Sequence, residues 1–362
     1  MMLIRAGLSI SLLILTLALA ACGGGGATST ERKPTAPPEL NQRTLYVGVQ
    51  DNNLYALNAA TGETRWHFET RSAVDSSPAL MDGVVYVGSA DHSVYALEAA
   101  SGKLLWKHET GGEVLSSPAV AQGTVYIGSD DQYVYALRTS DGAQVWRYQT
   151  GAGVEASPIV SNGAVYVGGI DTYFYDLNAA DGKLLWRAKT NGRVIMTAAA
   201  GPDLVYVGSE DGSVYALKTA DGAVAWRFQT QGPIIYRKPL LADGVLYIGS
   251  FDHRLYALDA QTGAQRWAFE TENEVHSAPT LTGDLVIFGS DDQYFYAVRA
   301  SDGTQVWRFK TEGKIGTQPV VAQGVAFMGS DDGKLYAVEV ATGAQIWQAS
   351  FARPVDSIAA IG

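Results

Sequence analysis

One cysteine, Cys22, stands in 362 residues, so no disulfide can close within the chain. Positive charge is also scarce. Lys and Arg number 26 against 37 Asp and Glu, giving a net charge of −11, and no basic run interrupts that balance. Nucleic acid and anionic lipid surfaces are poor partners for such a chain. Charged residues of both signs make up only 17% and hydrophobic ones 47%, which excludes a disordered polymer. No apolar pattern at 3.6-residue spacing survives the frequent Gly and Pro, so helical repeats are excluded as well. Catalytic signatures are missing: there is no His-Glu-x-x-His, no Gly-x-Ser-x-Gly and no Cys/His metal cluster. His67, His92, His108, His253 and His276 are scattered, and such lone histidines are structural or solvated. No residue is assigned a catalytic or metal-ligating role, and no cofactor is implied by a motif.

What the chain does have is a repeat. The stretch Gly83 to Trp106 recurs eight times, and each copy contributes one of the eight tryptophans, Trp66, Trp106, Trp146, Trp186, Trp226, Trp267, Trp307 and Trp347. Their spacing is 40 residues, with one step of 41. A period near 40 signals a repeat architecture. Within one copy, Val84–Val87 and Ser93–Leu97 are short β-branched and aromatic runs. A third run ends at Trp106, and a fourth, Val114–Val120, leads into the next copy. Turn residues separate them. The first run is apolar on both sides of the pleat, as a sheet buried on both faces requires. The expectation is an all-β, eight-bladed β-propeller of four-stranded antiparallel blades.

Closure follows from the ends. The first copy, from about Thr44, has three strands before Trp66 and none ahead of them, whereas the tail Pro354–Ile361 matches the inner-strand segment Val74–Leu80. The tail is therefore expected to complete the first blade and close the ring without an open edge. Three segments result: 1–21, 22–43 and 44–362.

The copies read Ala56-x-Asn58-x-x-Thr61-Gly62-x-x-x-Trp66, then Ala96…Gly102…Trp106, and so on. This resembles the tryptophan-docking motif of the PQQ-like propeller repeat family over the whole chain after residue 43. The Gly-His and Trp-Asp signatures of WD40 repeats are absent. A small residue leaves room for the indole of a neighbouring blade, and Gly permits the turn before Trp. Burying each indole removes ~150–250 Å² from water, at most about 4–6 kcal/mol per blade contact at ~25 cal/mol/Å². The tryptophans are thus interblade fasteners. Asp176 replaces the usual Ala in one copy and puts that contact in doubt. Asp also recurs three residues after the strand glycine, at Asp51, Asp91, Asp131, Asp171, Asp211, Asp252, Asp292 and Asp332. A ring of carboxylates could attract cations, but the stronger reading is an Asp that accepts backbone N–H bonds in a tight turn. Asp331-Asp332-Gly333 lacks the spacing of a calcium loop.

Residues 1–21 have Arg5 followed by an apolar run, Leu8–Leu19, too short to span a bilayer comfortably. The sequence Leu19-Ala20-Ala21-Cys22 resembles a bacterial lipobox. An ordinary signal peptide with a stray cysteine is the weaker reading, because the single cysteine sits at the cleavage point. The resemblance implies that Cys22 becomes an acylated N-terminus anchored in a membrane. Residues 22–43, rich in Gly, Thr and Pro, read as a flexible tether.

Positions that differ between copies speak to function. The three residues before the recurrent Pro or Ala fall on inner strands that line the central channel. They place Asp75, Glu155, Tyr236, Arg237, Lys238, His276, Gln318 and Asp356 around its mouth, the candidate binding face. A solvated rim of drifted repeats is the bland alternative.

Two branches of the family frame the function, with an extracytoplasmic ligand-binding or sensing protein as a further alternative. Quinoprotein dehydrogenases of this repeat bind PQQ and calcium at the channel mouth, and well-known members place a vicinal disulfide beside the quinone, which one cysteine cannot form. The outer-membrane assembly lipoproteins of the BamB type share signal peptide, lipobox, short tether and eight blades. That second resemblance implies a non-catalytic, lipid-anchored scaffold that contacts envelope proteins, among them the β-barrel assembly machinery. It places the protein outside the cytoplasm, on the periplasmic face of the outer membrane in a two-membrane envelope.

Overall fold

The computed structural model describes residues 34–235, 237–355, 357 and 361–362. Cys22, the signal-like segment, Tyr236 and Asp356 lie outside the described residues. No helix among the described residues is long and apolar enough to cross a membrane.

The first copy folds as β1 (Thr44–Val49), β2 (Asn53–Asn58) and β3 (Thr64–Glu69), an antiparallel sheet of three strands. The second gives a four-stranded sheet, β4 (Ala79–Met81), β5 (Val84–Ser89), β6 (Ser93–Glu98) and β7 (Leu104–Glu109), in sequence order. Six more four-stranded sheets repeat this plan, with blades 3 to 8 spanning 119–149, 159–189, 199–229, 240–270, 280–310 and 320–350. The hairpin between β4 and β5 turns on Asp82 and Gly83, both at positive φ (49° and 74°). That is the two-residue geometry matching the natural strand twist. The third strand of each four-stranded blade is buried almost throughout, while the outer strand alternates between exposed and covered residues. Hydrophobic clusters lie between successive blades, each drawing residues from both neighbours. The core is therefore a set of interblade layers.

Every tryptophan works the same seam. Its indole N–H donates to a carbonyl of the next blade: Trp66 to Ala99 (3.0 Å), Trp106 to Thr139 (2.7 Å), and onward to Trp347, which reaches Ala59 of blade 1 (3.2 Å). The ring flattens against the turn glycine of that next blade. A β-carbon on Gly142, at φ 69°, would lie 2.6 Å from the Trp106 indole. So Gly serves both as turn former and as seat for the neighbour's indole. The small Ala acts differently from the sequence expectation: it pairs across the strand with the tryptophan of its own blade, as Ala96 does with Trp106. The doubt at Asp176 is corrected too, since Trp186 keeps its bond to Thr219 at 2.9 Å.

The tail closes the ring. Ile361 bridges Leu45, and the backbones of Thr44 and Gly362 exchange bonds of 2.8 and 3.1 Å. Ser357 Oγ accepts the Gly48 N–H at 3.0 Å, as Ser76 does for Gly88 and Ser116 for Gly128 in complete blades. The end of the segment read as a tether differs from expectation. Pro38–Gln42 form a 3-10 turn, and Leu40, fully buried, joins the layer between blades 8 and 1. One apolar side chain thus makes these residues part of the propeller.

Candidate functional site at the channel axis

The recurrent aspartates hold turns. In all eight copies a tyrosine four residues on donates its hydroxyl to the Asp, as Tyr135 does to Asp131 at 2.6 Å. Asp131 also accepts the Tyr133 N–H (3.1 Å) and the Gly111 N–H of the connection arriving from blade 2 (2.7 Å). These carboxylates are committed to backbone and phenol donors, which leaves the axis as the place where the copies differ.

There the six sequence-selected residues that the structure describes divide. Asp75 of blade 2, Glu155 of blade 4 and Arg237 of blade 6 line one cavity of about 280 Å³ at the mouth, with Leu115, Ile195 and Gln50. Acid and apolar residues alternate around it, since Asp75, Leu115, Glu155 and Ile195 occupy the same position in successive copies. Glu155 is held above the ordinary carboxylate range by burial and then by Asp130 nearby, which is itself raised by burial and by Glu113. Lys238 and Gln318 do not share that mouth. They line a second cavity of about 410 Å³ inside the channel, where Arg237 also appears.

His276 sits in a third setting. Its Nδ1 lies 3.1 Å from Asp291 Oδ1, its Nε2 lies 3.8 Å from Glu274, and its ring meets Phe251 edge-on at 4.2 Å. Lys314 donates to the other Asp291 oxygen at 2.7 Å. Burial disfavours the Asp291 charge, yet His276 and Lys314 outweigh it and hold the carboxyl below its usual pKa. Potential ligand atoms of Glu274, His276 and Asp291 fall within 4.8 Å of one another. A cation there would have to share Asp291 with the Lys314 ammonium.

Sequence reading missed Glu274, Asp291 and Lys314, and also the hydroxyls of Ser77, Ser117, Ser157 and Thr197 in the channel. A signal existed for Asp291: the residue before each recurrent Asp varies strongly, from Ala90 to Asp130, Phe251 and Asp291.

Eight blades fastened by indoles in this way define a PQQ-like β-propeller. The chain belongs to the family described as outer membrane protein assembly factor BamB, which matches residues 20–118, 90–233 and 210–360. No curated protein matches it. Among solved structures it is similar to BamB from Moraxella catarrhalis, at 17% identity and TM-score 0.67, covering 85% of this chain and 94% of that one. It is similar to the quinohemoprotein alcohol dehydrogenase from Comamonas testosteroni, at 16% identity and TM-score 0.68, covering 79% and 68%. The computationally designed protein Ika8 matches at 18% identity and TM-score 0.70, covering 78% and 89%. At these identities the likeness is one of fold.

Proposed function

We propose that the protein is a non-catalytic, lipid-anchored scaffold of the cell envelope that binds other envelope proteins through the channel mouth and assists β-barrel assembly, as the family description suggests. The carrying observation is the division of labour along the chain. Residues that repeat in every copy hold the ring, and the residues that break the repeat gather at the axis. The mouth combines apolar Leu115 and Ile195 with Asp75, Glu155 and Arg237, a mixture suited to a protein surface.

The dehydrogenase fold offers the competing reading, in which PQQ and calcium would sit at this mouth. The residues present do not fit a planar quinone well. All eight indoles are committed to the seams, and Phe251 meets His276 edge-on. The one cysteine, Cys22, can form no disulfide beside a quinone.

The test is affinity capture of the Cys22-anchored protein from detergent-solubilised membranes, with alanine at Tyr236, Arg237 and His276 as comparison. Recovery of a β-barrel protein by the wild type and its loss from the triple variant is expected. Recovery unaltered by the triple substitution would remove the mouth from the proposal. Turnover of an alcohol or sugar after reconstitution with PQQ and calcium would overturn the non-catalytic reading.

A further inference from the structure

The channel interior is chemically unlike its mouth. Its ring of third positions carries hydroxyls on four successive blades, Ser77, Ser117, Ser157 and Thr197, and faces Lys238 and Gln318 on the far side. Ser117 accepts the Ser77 N–H at 2.9 Å and Ser157 accepts the Ser117 N–H at 2.8 Å. Each acceptance uses a lone pair and leaves the hydroxyl proton able to donate. Two cations, Arg237 and Lys238, line the same cavity, and among the described residues that line it none is Asp or Glu. That is unexpected in a protein of net charge −11. Lys238 is open to water in the lumen yet enclosed by the ring, and this enclosure pulls its pKa below the ordinary lysine value.

The interior cavity adjoins the one that holds the acids of the mouth, with Ser117 and Ser157 lining both. Arg237 lines both the mouth and the interior cavities, and its guanidinium reaches within 3.9 Å of where a β-carbon on Gly316 would sit. Away from the mouth, the interior cavity follows the inner strand Ala119–Ala121 toward the opposite end of the channel. A side cavity of about 180 Å³ opens from Lys238 and Gln318 along Ala199 and Leu240.

We propose that the propeller channel is a binding site for a small, multiply charged oxyanion, held by Lys238 and Arg237 on one side and by the Ser117 and Ser157 hydroxyls on the other. The ammonium and guanidinium supply charge-assisted bonds. The serine arc supplies neutral donors and shape. A cavity of about 410 Å³ suits a metabolite-sized anion and is too small for a folded partner. The site adjoins the mouth, since Arg237, Ser117 and Ser157 line both cavities, but Lys238 lines the interior one and not the mouth, so Lys238 variants test it apart from the scaffold role.

Titration calorimetry of the full chain in detergent, with citrate and inorganic phosphate as separate probes and glycerol as the neutral control, tests this. Binding of citrate, of phosphate or of both, with no glycerol heat, is expected and assigns carboxylate, phosphate or general oxyanion chemistry in turn. Lys238→Met should weaken it by about 10-fold or more, and the Ser117→Ala/Ser157→Ala pair by about 3- to 10-fold. Lys238→Arg should retain binding and thereby separate loss of charge from loss of fold. Lys103→Met, on an exposed turn, should change nothing. No heat with either anion, equal binding by wild type and Lys238→Met, or loss by Lys238→Arg at an unchanged melting temperature would each overturn the proposal.

Discussion

The seams and the axis of this propeller obey opposite rules. Along the seams the same three groups recur eight times with nearly the same geometry: indole, turn glycine and accepting backbone carbonyl. At the axis the copies diverge, and serine, threonine, lysine, alanine and glutamine all occur at one position. A closed ring of like sheets needs every contact to fit every other, so variation at a seam strains the whole circle. The axis faces open cavities on one side and bears no such constraint. Substitutions at the seams should therefore act on stability, and substitutions at the axis on binding.

The largest effect is expected at the joint where the circle closes. Removing residues 354–362 leaves β1 paired with β2 alone and opens the buried pocket that Val355 fills. A loss on the order of 5 kcal/mol or more should follow, from lost pairing and burial together. Thermal melting of the shortened chain tests it, and an unchanged transition would mean that the tail contributes nothing to the ring.

Asp176 is the one seam position that breaks the rule. Its side chain is buried opposite Tyr166 and Trp186, its Oδ1 has no hydrogen-bond partner, and burial raises its pKa to about 7. Because the folded pKa exceeds the unfolded one, the unfolded chain ionises first as pH rises. Stability should fall between about pH 4 and pH 7 and then level off, with a total cost on the order of 4 kcal/mol. Asp176→Ala, which restores the residue of the other copies, should remove that slope and stabilise the protein most above pH 7. Denaturant unfolding at pH 5 and pH 8 decides the matter, since equal gains at both would show that ionisation is not the cause.

A smaller contrast separates two glycines of similar backbone geometry. Gly142→Ala drives a methyl into the Trp106 indole and should cost about 2–4 kcal/mol, whereas Gly83→Ala, with nothing within 4 Å, should cost only about 1 kcal/mol from its positive φ. If chemical denaturation gave both the same cost, backbone strain alone would explain them and the seating of the indole would not matter. Smallest of all, Glu155→Gln and Gln318→Ala should alter stability by under about 0.5 kcal/mol, because neither anchors a seam.

Much of the ring is legible in the sequence, for a physical reason. A repeat reports its own constraints: Trp106 and Gly142 match their counterparts because they meet the same neighbour eight times over. The tail is legible because it copies an inner strand that the first copy lacks. The axis is harder to read. Comparing copies shows which positions differ but not how deep they lie. Lys238 and Gln318 fall two residues beyond the mouth positions, a step of roughly 6–7 Å along an extended chain, enough to move them from mouth to interior. His276 finds Asp291 on a separate loop, a pairing that periodicity cannot encode.

The Ser357–Gly48 bond joins residues 309 positions apart. At roughly 5–20 residues per second on the ribosome, the two halves of blade 1 are made roughly 15–60 s apart. For that interval β1 has an unpaired edge, and every later blade is built on an unfinished foundation. Slow translation would lengthen that exposure, so the edge of β1 is the part of the ring that stays open longest while the chain is made.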